Sequence, residues 1–134
     1  AAYHLGQSYI QLKNKVAAQK AFKLAAQSDF DPTIKEDAFF NYAKLSFDIN
    51  RNMTPIGQYL RFYPHTDAKW DEIHSYIATE FIMNGNYADA IKALKNMRNH
   101  TFASRQILQK ASFLRLLRKF SAQPRLHIRA QTLI

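Results

Sequence analysis

The sequence predicts an all-α protein built from about three antiparallel helical hairpins with one further helix at its C-terminal end. Three observations predict it. Apolar residues recur at helical spacing through most of the 134 residues, and no segment alternates apolar and polar over four or more positions. Breaks between these segments are short and carry cap chemistry. Small residues return at a fixed place: Leu5-Gly6-x-x-Tyr9 aligns with Ile77-Ala78-x-x-Phe81, and Ala18 and Phe22 align with Ala90 and Leu94, all at an interval of 72. Tyr42-Ala43-x-x-Ser46 falls between them, 37 residues after the first and 35 before the third. A position that must stay small on a helix marks where a neighbouring helix comes close.

The first helix covers residues 1–12 and breaks at Lys13-Asn14-Lys15; the second runs from Val16 to Gln27. Asp31-Pro32 opens the third, with Asp31 as cap and Pro32 at the first helical position. Thr33 with Glu36 reads as a capping box two residues further on, and competes for the same boundary. The body of that helix is 34–49. Thr54-Pro55 repeats the cap-plus-proline signal before a short helix ending near Tyr63-Pro64. Asp67 is the expected cap of a helix reaching Met83, and Asp71 and Glu72 suit the positive end of its dipole. Asn84-Gly85-Asn86 is a turn with Gly85 as its left-handed residue, Tyr87–Met97 a sixth helix, and 103–121 a seventh, stopped by Pro124.

Composition narrows the function classes. The chain has no cysteine, which removes disulfides, thiol chemistry and thiolate metal sites. No apolar run is long enough to span a membrane as a helix. The chain begins at Ala1 in the middle of a helical pattern, and reads as a piece of a longer or processed protein. Residues 1–89 hold 9 Lys+Arg and 10 Asp+Glu, whereas residues 90–134 hold 10 Lys+Arg and no acid. The five histidines have no tight ligand spacing, and there is no nucleophile elbow or glycine-rich phosphate loop. The acid pairs Glu36-Asp37 and Asp71-Glu72 sit at helix starts, where the dipole accounts for them. The expectation is a non-enzymatic protein without metal or cofactor.

Leu5-Gly6-x-x-Tyr9, Ala18, Phe22 and Ala25 in the first unit, and Asn86-Tyr87-x-x-Ala90 in the third, resemble the tetratricopeptide repeat (TPR) pattern. The middle unit departs from it, with Pro55 at the helix-B alanine. The stretches from Asp37 to Leu45 and from Tyr59 to Thr66 are similar to bacterial envelope-associated TPR proteins. The resemblance covers about residues 1–99 and implies an α-solenoid of about three TPR-like hairpins, at 1–30, 31–64 and 65–99. A partial fourth repeat at 100–122 and an irregular basic tail at 123–134 would follow. It further implies a protein-binding scaffold at the periplasm or outer-membrane periphery, with exposed array ends favouring self-association.

The family register turns certain A-helix positions towards a concave groove. Here these are Tyr3, Gln7, Ile10 and Gln11; Phe40, Lys44, Phe47 and Asp48; and Ser75, Thr79, Ile82 and Met83. Asn41 matches one position of the family's clamp for acidic C-terminal peptides, but Tyr3 and Gln7 stand where that clamp has Lys and Asn. Phe40 and Phe47 are the expected peptide anchors. Tyr9, Phe22, Phe39, Tyr42 and Phe81 are expected between helices. In the last helix, Ile107, Leu108, Ala111 and Leu114 form one apolar stripe and Phe113, Leu116, Leu117 and Phe120 another, so burial between neighbours is expected. Arg105, Lys110, Arg115, Arg118 and Lys119 make a basic patch. The bland reading is a solvated rim; the alternative is a nucleic-acid or anionic-membrane site.

Overall fold

The computed structural model describes residues 1–29, 31–63 and 67–121, apart from the Asp67 side chain. Among the described residues it is all-helical: α1 (Ala2–Gln11), α2 (Lys15–Ala26), α3 (Pro32–Asn50), α4 (Thr54–Phe62), α5 (Asp67–Met83), α6 (Tyr87–Lys95) and α7 (Phe102–Ser121). The chain divides into two compact units, residues 1–73 and 74–134. The tail 123–134 and the Pro64–Thr66 junction lie outside the described residues, as does the expected cap by the Asp67 side chain.

Caps decide the boundaries. Asp31 wins the contest at the start of α3: its carboxylate accepts from the Thr33 and Ile34 amides at 2.9 and 3.4 Å. Asn14 caps α2 by accepting from the Ala17 amide at 3.1 Å, so that helix starts one residue before Val16. At α4 the expected cap moves. Thr54 lies inside the helix, and its amide donates to the Asn52 side chain at 3.1 Å. The sixth helix stops at Lys95, short of Met97, which is nonetheless buried in the core.

In the first unit α2 packs against both α1 and α3, and α3 packs in turn against α4. A helix with neighbours on two sides needs small residues on both, which is why α2 buries Ala18, Ala21, Ala25 and Ala26 beside Phe22. Tyr3, Tyr9, Phe39 and Tyr42 pack against this cluster, Tyr3 meeting Phe22 edge-on at 5.8 Å. In the second unit, the core joins Ala78 of α5, Ala90, Ile91, Ala93 and Leu94 of α6, Met97, and Ala111 of α7. Ile77, Phe81, Ile82, Ile107 and Leu108 pack on its edge.

The two units share a local geometry. After α1, the amides of Leu12, Lys13 and Asn14 donate to the carbonyls of Ser8, Ile10 and Tyr9 at 3.0, 3.0 and 2.9 Å. After α5, Asn84, Gly85 and Asn86 donate to Glu80, Ile82 and Phe81 at 3.1, 3.1 and 2.8 Å. Each bond has its counterpart 72 residues on. Both turns reverse through a left-handed residue, Lys13 at φ 58° and Gly85 at φ 78°. Arg51, at φ 57°, does the same after α3, but one residue later relative to the small position, and Asn52 there reaches back to the Ser46 carbonyl at 3.2 Å.

The small residues sit where the spacing requires. Gly6 is buried, and a Cβ on it would come within 2.9 Å of the Phe22 ring. Ala43 and Ala78 are 0% exposed, as are Ala18 and Ala90. Sixteen residues after each small position comes a fully buried large one: Phe22, Tyr59 and Leu94. Tyr59, whose role in this series went unnoticed in the sequence, donates to Glu36 at 3.2 Å across the α3–α4 pair.

Candidate functional site

A polar network ties α1, α3 and the first turns of α5 together. Asp37 is its hub. The Tyr3 hydroxyl donates to the Asp37 carboxylate at 2.5 Å, the Asn41 amide donates to it at 3.1 Å, and the Lys69 ammonium pairs with it at 3.2 Å. Two turns along α3 from Asp37, Lys44 pairs with Glu72 at 2.6 Å. Both lysines place their ammonium groups over the Phe40 ring, at 5.0 Å for Lys44 and 5.3 Å for Lys69. The bond to Asp37, helped by desolvation and by the carboxylate's charge, pushes the Tyr3 phenol up to about 12.

The network brings together four of the expected groove residues: Tyr3, Phe40, Asn41 and Lys44. It also corrects two readings. Asp37 and Glu72 do more than complement a helix dipole, since each carboxylate bridges to a different helix. Phe40 and Phe47, expected as outward anchors, are only 5% and 8% exposed. Phe40 is held among Tyr59 at 5.5 Å and the two ammonium groups, because α3 has neighbours on several sides and leaves no free face for a large ring. Of the rest, Gln7 and Gln11 are exposed and Ile10 is 43% exposed. Asp48 makes a loose pair with Lys15 at 3.9 Å. On α5, Thr79 donates to the Ser75 carbonyl at 2.8 Å, Ile82 packs on the core and Met83 is 52% exposed. Asp37 was the residue missed. It lies 34 residues from Tyr3, three short of the 37 that separate Gly6 from Ala43, so the repeat register did not point to it.

The basic positions on α7 separate into two sets. Arg118 is committed: its guanidinium donates to the Gly85 carbonyl and lies 5.9 Å from the Tyr87 ring, pinning α7 to the α5–α6 turn. Arg105, Lys110, Arg115 and Lys119 are exposed. A cavity of about 250 Å³ between α6 and α7 is lined by Ile91, Lys95, Ser112, Arg115, Leu116 and Lys119. The helix also departs from expectation in its burial. Ala111 is 0% exposed and Ile107 and Leu108 pack on the core, but Phe113, Leu116, Leu117 and Phe120 are 48–59% exposed. Among the described residues, α5 and α6 cover only one side of α7, so the second stripe has no neighbour.

Comparison of the chain with models of known protein families, with curated proteins and with solved structures returned no match.

Proposed function

We propose that the chain is a protein-interaction scaffold whose hairpins stack as a TPR-like α-solenoid and offer a partner segment the face of their first helices. The observation that carries this reading is the recurrence of one turn, bond for bond, at an interval of 72, with a small and a large residue sixteen apart in each hairpin. Hairpins of one design bury their apolar faces by stacking on one another, and the stack leaves a continuous surface for a ligand.

The Tyr3–Asp37–Lys69 and Lys44–Glu72 ties support it further. They neutralise each other and fix α3 relative to α1 and the start of α5, which suits a surface preorganised for binding better than one built for proton transfer. Anchoring falls to the exposed residues of that face on α1, Gln7, Ile10 and Gln11.

Site-specific photo-crosslinking tests the proposal. A photoreactive residue at Gln7 or Gln11 captures a discrete partner from the native host extract, and one at Lys20 on α2 does not. Equal capture at both places, or none at either, removes the assignment of the face.

A further inference from the structure

We infer that the α6–α7 face is a second binding surface, and that its ligand is an anionic lipid bilayer. Two independent features meet there. The first is the open pocket between α6 and α7, whose lining includes Lys95, Arg115 and Lys119 together with Ile91 and Leu116. None of the three cations has an ion-pair partner among the described residues, and residues 90–134 contain no acid to supply one. Three like charges around one cavity repel one another until an anion enters.

The second feature is the adjoining stripe. Phe102, Phe113, Leu116, Leu117 and Phe120 are 76, 59, 55, 48 and 55% exposed. At about 100° per residue they share the side of α7 opposite its docked face. Lys110 borders the stripe on one side, and Arg105 and Lys119 border it on the other. Leu116 belongs to both the stripe and the cavity wall.

A ligand matching both features has an apolar phase edged by phosphate on either side. A helix lying in a bilayer interface meets that geometry: its large apolar side chains enter the acyl boundary while Lys and Arg reach the headgroups. A second copy of this face fits poorly, because it would bring the same unneutralised cations against these. Nucleic acid would satisfy the cations but leave Leu116 and Leu117 in water. This site shares no residue with the proposed partner face, and the inference does not rest on that reading.

The test is co-sedimentation of the whole chain with phosphatidylcholine vesicles, with and without phosphatidylglycerol, alongside binding to a DNA duplex. The chain binds the phosphatidylglycerol vesicles and not pure phosphatidylcholine. Replacing Lys95, Arg115 and Lys119 together by Gln relieves repulsion, so the fold survives, and lowers vesicle partitioning by roughly a hundredfold. Replacing Phe113, Leu117 and Phe120 by Ser keeps every charge; it lowers vesicle partitioning by a similar factor while duplex binding stays unchanged. Circular dichroism verifies that both variants remain helical. Absence of vesicle binding overturns the proposal. So does vesicle binding that the Ser variant leaves intact, which would mark a general polyanion site, and so does dimerisation through this stripe in sedimentation equilibrium.

Discussion

Gly6 shows at the smallest scale how tightly the first hairpin is drawn. An alanine there gains about 1 kcal/mol of helix propensity but drives a methyl group into Phe22, and overpacking of this kind costs about 1–3 kcal/mol. Chemical denaturation of Gly6→Ala is expected to show a net loss of about 1 kcal/mol, most of it recovered when Phe22→Leu is added. Without that coupling, the close approach at Gly6 is not what holds the pair. Tyr3 gives a pH signature. Its phenol rises from the ordinary 10.0 to about 12 in the folded state. The stability it contributes is therefore intact below about pH 10 and fades as pH climbs towards 12. Urea titrations of the native chain and Tyr3→Phe should converge over that interval, and the tyrosinate absorbance of the native chain should lag. Gly6 was legible in the sequence because smallness at a fixed interval has one common cause. The burial of Phe40 was not, because a register says which way a residue points and not what stands in front of it.

At the scale of elements, two of the three hairpin turns place a side chain in the left-handed region: Lys13 and Arg51. Glycine is free of that cost, so Lys13→Gly and Arg51→Gly are each expected to raise stability by about 0.5–1 kcal/mol in thermal or urea unfolding. Gly85→Ala should lower it by about 1 kcal/mol, with part of the loss coming from the Arg118 guanidinium 3.3 Å from the new methyl. A neutral result at Lys13 would mean that the turn relaxes. Helix number and order were readable from caps and periodicity, since Asp31-Pro32 and Asn84-Gly85-Asn86 each leave few backbone options. The start of α4 was misread because Asn52 and Thr54 can both cap, and only the chain's path after Arg51 chooses between them. The second stripe of α7 misled for a different reason: apolar residues on two faces report what a helix could bury, and a neighbour must exist for it to do so.

Across the whole molecule, charge is divided as unevenly as the fold is regular. Four ion pairs tie the first 72 residues together, while residues 90–134 carry ten Lys+Arg without an acid. Added salt should therefore firm the second unit by screening its self-repulsion and slightly weaken the ties of the first. Hydrogen exchange at low and high salt is expected to show protection rising by up to about 1 kcal/mol in α6 and α7, with α2 and α3 flat or falling. A uniform response would mean that this excess charge bears little on stability. The middle hairpin carries a last lesson. Its left-handed residue comes eight positions after Ala43, against seven after Gly6 and Ala78, yet Tyr59 still falls at the sixteenth. The reversal has slid along the chain while the interval between packing partners stayed fixed. A protein engineer could thus shift the bend in either neighbouring hairpin by one residue, deleting after it what was inserted before, and keep every tooth of the mesh engaged.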